Sequence, residues 1–118
     1  MDNGKLRLWQ YKKAMILETY SSDELTLDDI DQVLNSLHER AEPPFLIIVV
    51  RTGSYRLSVE AKNRLREEDK RLFKIAYVVK ELRNMCHAVG ASYSYLESKD
   101  VFICDSIESA YTALTGVA

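Results

Sequence analysis

The stretch Phe45-Leu46-Ile47-Ile48-Val49-Val50 decides the fold class of this chain. It is an unbroken run of apolar side chains, rich in β-branched residues, without polar residues at alternate positions. A strand with one face in water shows such alternation, so the continuous run is typical of a strand covered on both faces. The stretch therefore predicts a central strand of a parallel sheet with helices packed against it.

Moving toward the N-terminus, the sequence predicts a helix and, before it, a hairpin. Apolar residues recur at spacings of three and four from Leu27 to Ala41, and Thr26 precedes them as an N-cap. Asp29 stands three residues after Thr26, which makes a capping box with Asp in place of Glu. The two runs 6–10 and 14–20 predict an antiparallel hairpin whose first strand lies at the edge of the sheet.

Moving toward the C-terminus, the pattern alternates between helix and strand. Ser58 is a suitable N-cap for a helix from Val59 to about Phe73, although few apolar residues lie along it. The run 75–79 predicts a second buried strand, and residues 80–96 predict a helix that contains Gly90.

The last elements predicted are the strand Val101–Cys104 and a closing helix. Asp105 with Glu108 three residues later predicts an acidic capping box for that helix. Together these elements predict one α/β domain spanning residues 1–118, with the order ββαβαβαβα. The sheet is expected to be mixed and five-stranded, mostly parallel with an antiparallel first strand, and flanked by four helices.

The N-terminus is polar, and the longest apolar run has six residues, whereas a membrane-spanning helix needs about 20. We therefore expect a cytoplasmic protein without stable membrane insertion. Basic residues concentrate in the middle of the chain, where residues 51–83 carry ten Lys or Arg against five Asp or Glu. Glu67, Glu68 and Asp69 interrupt them and the pI is near 5.7, so nucleic acid is not an expected partner.

Catalytic patterns are missing from the sequence, so we expect no enzyme activity, no cofactor and no metal. His38 and His87 each lack a second ligand at metal spacing. Cys86 adjoins His87, and neighbouring side chains on a helix point about 100° apart, which prevents a nucleophile and base pair. Cys86 and Cys104 are interpreted as reduced packing residues.

The order of elements and several local motifs resemble the SpoIIAA-like and STAS/SEC14-like family of small bacterial domains. The motifs are the Leu8-Trp9 strand with Ala14-Met-Ile-Leu, the strand Pro44–Val50, the loop into Ser58-Val-Glu-Ala-Lys and the ending Val101–Leu114. The resemblance implies a domain that regulates by docking on a protein partner, in some members under control of serine phosphorylation. Homodimerisation through the edge strand Leu6–Gln10 or through an exposed helix is a second expectation. The SEC14-like half of the family implies the alternative, a pocket for a lipid or another small molecule.

The candidate interaction or anion-binding residues are Arg51, Thr52, Ser54, Arg56 and Ser58, which lie around the loop after the central strand. The carboxyl ends of parallel strands commonly hold ligands, and a helix N-terminus favours anions. In the phosphorylated members of the family this region contains an Asp-Ser-Ser-Gly-like turn, which this sequence lacks. Ser54 and Ser58 remain as candidate phosphosites, and the role of Ser58 as an N-cap is the structural alternative.

Overall fold

The computed structural model describes residues 1–20, 24–51, 55–68, 73–78 and 101–116, and for residues 51 and 101–103 it describes the backbone alone. The strands are β1 Leu6–Tyr11, β2 Ala14–Thr19, β3 Glu24–Leu25, β4 Phe45–Arg51, β5 Arg56–Leu57, β6 Phe73–Val78 and β7 Val101–Cys104. The helices are α1 Leu27–Arg40, α2 Val59–Glu67 and α3 Ile107–Thr115.

The main sheet has the strand order β1-β2-β4-β6-β7. β1 pairs antiparallel with β2, and each of the other neighbouring pairs is parallel. The prediction of a mixed, mostly parallel sheet with an antiparallel first strand is therefore confirmed. β4 lies at the centre, where its neighbours β2 and β6 flank it, and its apolar run points side chains to both faces of the sheet.

A second, two-stranded sheet joins the segments that precede α1 and α2. β3 and β5 pair in parallel through Glu24 with Arg56 and Leu25 with Leu57, and the Ser58 N–H donates to the Leu25 carbonyl over 2.9 Å. This small sheet holds the N-termini of α1 and α2 side by side. Two-residue strands carry no periodicity, so no pattern of residues predicts this sheet.

Two predicted helix boundaries were wrong. α2 ends at Glu67, and Phe73 begins β6 instead of ending the helix. Phe73 pairs with Phe45 in the parallel ladder, and their ring centroids lie 5.4 Å apart, so packing on the central strand explains the difference. α3 is capped by Ser106, whose hydroxyl accepts the Ser109 N–H, and not by Asp105. The helix predicted over residues 80–96 lies outside the described residues.

The buried residues form two clusters, one on each face of the main sheet. The α1 face is the side covered by α1 and α2, and its strand residues include Leu6, Leu8, Met15, Phe45, Ile47, Val49 and Tyr77. The α3 face is the opposite side, where α3 packs through Ala110 and Leu114 onto Ala14, Ile16, Ile48, Ala76 and Val78. Neighbouring residues of β4 therefore alternate between two separate cores.

The segment Met1–Asn3 lies along the outer edge of β1. The Leu8 N–H donates to the Met1 carbonyl over 2.9 Å, and the Asn3 N–H donates to the Leu6 carbonyl over 3.2 Å. β1 lies at the edge of the sheet as predicted. Homodimerisation through this edge stays a prediction. Because Met1–Asn3 already pairs with the edge at Leu6 and Leu8, a second copy could pair only with the residues of β1 after Leu8.

Candidate functional site

The structure assigns one role among the five candidate residues. Ser58 is the N-cap of α2, and its hydroxyl accepts the Ala61 N–H over 3.1 Å, which confirms the predicted cap. Arg56 is exposed on β5, and Arg51 ends β4, with its side chain outside the description. Thr52 and Ser54 lie outside the described residues, so the structure does not test an anion site built from all five.

One face of α2 and β5 is open to solvent. Arg56, Val59, Lys62, Asn63 and Arg66 are all exposed, and the spacing of the last four places them along one side of the helix. We call these five residues the α2 surface. Val59 is 69% exposed, which is the highest value among the large hydrophobic residues that the structure describes. Arg is enriched at protein interfaces, and charged residues such as Lys belong to the polar rim around an apolar contact.

Arg64 attaches the other side of α2 to α1. Its guanidinium contacts Asp31 of α1 over 3.1 Å and Glu68 over 2.8 Å. Burial alone would lower the pKa of Arg64, but the hydrogen bonds and charges of Glu68 and Asp31 raise it above its ordinary value. Together with the Ser58 cap and the β3–β5 pairing, this contact gives α2 a defined position on the protein.

A cavity of about 100 Å³ lies between the sheet and the helices on the α1 face. The strands contribute Ile47, Val49 and Tyr77 to its walls, and α1 contributes Ile30, Val33 and Leu34. The remaining wall comes from the segment before α2 and from α2 itself, through Tyr55, Leu57 and Leu65. The sequence signal for this cavity is the small number of apolar residues in α2, which leaves the helix unable to fill the space above the sheet.

The cavity wall is almost entirely apolar. Thr19 is 1% exposed there, and its hydroxyl donates to the Val50 carbonyl over 3.3 Å. Glu68 also borders the cavity, and Arg64 binds its carboxylate. Since a buried water needs two to four polar partners, a wall of this composition favours an apolar occupant over water.

The predicted absence of catalytic machinery can be examined only at the residues described. His38 is exposed and packs edge-on against Phe45, with ring centroids 5.1 Å apart, as a surface histidine would. Burial, with a smaller effect of the Asp105 charge, raises the pKa of the Cys104 thiol and keeps it protonated. Within the described ranges no cluster of His, Cys, Asp or Glu has metal-binding geometry.

A group of aromatic and basic side chains lies on the α3 face near β1. The Tyr11 ring packs edge to face against Trp9 on one side and Tyr111 on the other, with centroid distances of 6.5 and 5.6 Å. Arg7 lies over Trp9, and the Lys12 ammonium lies 5.4 Å from the Tyr11 ring and 5.2 Å from the Tyr111 ring. These side chains contact each other, so joining β1 to α3 accounts for them without a partner.

Comparison with solved structures identifies a protein of the same architecture. This protein, known from a crystal structure, is an uncharacterised member of the DUF3478 family with a SpoIIAA-like fold, from Shewanella loihica PV-4. The TM-score is 0.60 over 92% of this chain and 91% of that chain. The fold is SpoIIAA-like. The sequence identity is 13%, so the likeness shows the SpoIIAA-like fold alone.

Sequence comparisons add no further relative. No protein-family profile matches the chain, and no curated protein matches it. The resemblance inferred from the hairpin, the central strand and the closing helix is thus confirmed at the level of the SpoIIAA-like fold. Among the described helices, none is long and apolar enough to cross a bilayer.

Proposed function

We propose that this SpoIIAA-like domain is a non-enzymatic regulatory module of the STAS type, which acts by docking on a protein partner through the α2 surface. The observation that carries the proposal is the 69% exposure of Val59 on a helix whose outer side is otherwise polar or charged. The basic middle of the sequence supplies Arg56, Lys62 and Arg66 to this surface.

The α2 surface is suited to docking because its helix is held in place before a partner arrives. Ser58 caps the helix, Arg64 joins it to Asp31, and β5 pairs with β3. A preformed surface loses little conformational freedom on binding, so more of the contact energy contributes to affinity. Val59 supplies apolar area at the start of the helix, while Lys62 and Arg66 set the orientation of an acidic partner.

The alternative is a pocket for a lipid or another small molecule, and the dimensions of the cavity do not favour the lipid. An engineered cavity of about 150 Å³ holds one benzene molecule, and the cavity on the α1 face measures about 100 Å³. A bilayer lipid with two acyl chains is far larger than either. The described residues therefore favour the protein-docking proposal over lipid transport.

Site-specific photocrosslinking in the native host tests the proposal. A photoreactive residue at Asn63, in the middle of the α2 surface, should give one crosslinked protein that the same residue at Thr112 does not give. Thr112 is the matched control because it is exposed on α3, at the opposite face of the sheet.

The crosslinked protein is then purified, and its affinity for the full chain is measured. Val59→Asp and Lys62→Glu should each weaken its binding at least tenfold, since each places a negative charge in the contact with an acidic partner. Equal crosslinking from Asn63 and Thr112, or unchanged affinity in both charge variants, would contradict the proposal.

A further inference from the structure

The segment Met1–Asn3 occupies the position that a further strand of the main sheet would take. It runs antiparallel to β1, with Asp2 opposite Arg7. Its backbone accepts a hydrogen bond from the Leu8 N–H and donates one to the Leu6 carbonyl. We call this segment the edge strap. Its pairing shows that the outer edge of β1 accepts an antiparallel strand, and that the chain itself fills part of that edge.

A tight turn folds the edge strap back onto β1. Gly4 has a φ of +88°, a conformation that glycine adopts readily. The Asn3 side-chain oxygen accepts the N–H groups of Lys5 and Leu6 at 3.1 and 3.2 Å. The Asp2 carboxylate accepts the Gly4 N–H at 3.1 Å. Asn and Asp side chains commonly hold turns in this way, so the return of the strap toward β1 is set by its own short sequence.

Two further side-chain contacts fasten the edge strap to other parts of the molecule. The Asn3 amide donates to the Asp29 carboxylate at 2.8 Å and to the Gln32 oxygen at 3.2 Å, both in α1. The Tyr20 hydroxyl donates to the Asp2 carboxylate at the solvent-exposed end of β2. The strap is three residues long and partly exposed, so its release should cost far less free energy than unfolding of the domain.

The outer edge of β1 is complementary to the same edge of a second copy. The backbone of Leu6 and Leu8 points outward, because both residues bond the strap, and the two-residue period of a strand turns Gln10 to the same side. Two copies that pair antiparallel about Leu8 bring Leu6 of one opposite Gln10 of the other. The same register brings Arg7 opposite Trp9. Since Arg7 already lies over Trp9 within one chain, at 5.5 Å, this register forms a matching contact on each side of the twofold axis.

We propose that the edge strap is an autoinhibitory contact that keeps β1 from pairing with a second copy of this chain, and that its release lets two copies join their sheets. While the strap is attached, a second copy reaches only the end of β1 after Leu8, which is shorter than strands usually are. The apparent Kd of the dimer then equals its intrinsic Kd divided by the fraction of molecules whose strap is open. This proposal concerns the sheet edge and does not rest on docking through the α2 surface.

Analytical ultracentrifugation of the full chain over a range of concentrations tests the proposal. Asn3→Ala removes the contacts to α1, and Tyr20→Phe removes only the hydroxyl that binds Asp2, so the two changes loosen the strap independently. The double variant should dimerise at least tenfold more tightly than the unaltered chain, because a larger fraction of its straps is open. Tyr111→Phe, the same change on α3, should have no effect.

An unchanged dimer Kd in the folded double variant would overturn the proposal. If the double variant does not fold, Tyr20→Phe alone decides, since this side chain is 44% exposed and its hydroxyl can be removed without disturbing the core. Tyr20→Phe should then lower the dimer Kd severalfold, and an effect no larger than that of Tyr111→Phe would overturn the proposal.

Gln10→Pro in the double variant tests whether the dimer uses β1. Proline removes the outward N–H of this residue, and edge strands tolerate proline where the N–H does not bond a neighbouring strand of the same chain. The change should return the double variant to a monomer, whereas Gln10→Thr keeps the N–H and should leave the dimer intact. A dimer that persists in a folded Gln10→Pro variant would place the interface elsewhere and overturn the proposal.

Amide hydrogen exchange of the unaltered chain tests the release of the strap without any substitution. The Leu8 N–H bonds the strap, whereas the next amide, that of Trp9, points toward β2. In dilute protein the Leu8 amide should therefore be at least tenfold less protected than the Trp9 amide, because it exchanges whenever the strap opens. Equal protection of the two amides would show that the strap opens only together with the edge strand, and would overturn the proposed release.

Discussion

The two faces of the main sheet are covered in different ways. On the α3 face, alanines occupy both sides of the contact: Ala110 of the helix meets a sheet surface that contains Ala14 and Ala76. On the α1 face, the sheet presents larger side chains such as Phe45 and Tyr77. Small residues allow a helix to approach the sheet closely, while large ones hold it further away and must interlock to fill the space.

The incomplete interlocking on the α1 face has a local cause. α1 supplies a full apolar stripe, with Ile30, Val33, Leu34 and Leu37 all buried, whereas α2 fully buries only Ala61. The cavity lies where α2 would have to contribute bulk. The sequence of α2 thus places charged residues on its outer side and few apolar residues on the side that faces the sheet. Substitutions on the two faces of the sheet test this difference.

The largest expected effect compares Ile47 and Ile48, which are neighbours in β4 and point to opposite faces. Ile48→Ala on the α3 face should lower the free energy of unfolding by about 4 kcal/mol, since the side chain is fully buried in a closely packed region. Ile47→Ala should cost about 2 kcal/mol, because Ile47 borders the cavity and part of its side chain faces that space. Urea unfolding of both variants measures the difference, and equal losses would contradict the contrast.

Asp29 provides the next effect, and it belongs to the α1 face. This carboxylate is 5% exposed and accepts hydrogen bonds from the Thr26 N–H at 2.8 Å, from Asn3 at 2.8 Å and from Lys5 at 2.9 Å. We expect Asp29→Asn to cost about 2 kcal/mol, since hydrogen bonds to a charged group are lost.

The same residue predicts a pH dependence with a definite sign. Burial raises the pKa of Asp29, but the hydrogen bonds from Thr26 and Lys5 outweigh it, and the pKa lies below its ordinary value. The contribution of Asp29 is therefore complete above the unfolded pKa of about 3.9, and it is lost as the pH falls through the lower folded pKa. Unfolding curves between pH 6 and about 2 should converge for the wild type and Asp29→Asn at the acid end. A constant gap would refute the assignment.

Added volume should have opposite effects on the two faces. Ala110→Leu inserts a large group into the closely packed α3 face and should destabilise the protein by about 1 to 3 kcal/mol. Val33→Ile adds one methylene group beside the cavity and should be neutral or stabilising by up to about 0.8 kcal/mol. Thermal unfolding measures both. If Val33→Ile lost as much stability as Ala110→Leu, the cavity would not accommodate the added methylene group.

The smallest expected effects come from the two serine caps, one at each face. Ser58→Ala and Ser106→Ala should each cost about 1 kcal/mol, because each removes the hydroxyl that accepts an N–H in the first turn of a helix. Ser58→Asp should be nearly neutral, since Asp is also a good cap and its charge suits the helix N-terminus.

The Ser58 substitutions also bear on phosphorylation as a regulatory step. Binding of the crosslinked partner that changes in Ser58→Asp, with stability unchanged, would support a switch at Ser58. If the affinity for the partner changes only in the variant whose stability changes, Ser58 acts as a helix cap alone.

Elements with strong periodicity were predictable from the sequence, and those set by tertiary contacts were not. The apolar run of β4, the stripe of α1 and the box of Thr26 with Asp29 each have a local pattern, and the structure contains all three. The end of α2 was misplaced because Phe73 packs on Phe45, a residue 28 positions away, and charged residues before it gave no stop signal.

The candidate site was predictable only in part for the same reason. The capping role of Ser58 follows from residue type and position, so it could be predicted. The cavity depends on how Leu65, Leu57 and the β4 side chains meet in three dimensions, and no single segment encodes it. The weak apolar content of α2 was visible in the sequence, but this pattern alone does not indicate a cavity.

The small sheet of β3 and β5 has a consequence for the order of folding. Its two strands are separated by about 30 residues and contribute only two paired residues each, so closing this loop is costly in entropy and brings few contacts in return. We expect the pairing to form after β4 has joined the sheet, which makes α2 a late element of the folding reaction. Substitutions in β5 and α2 should then accelerate unfolding and leave the folding rate almost unchanged.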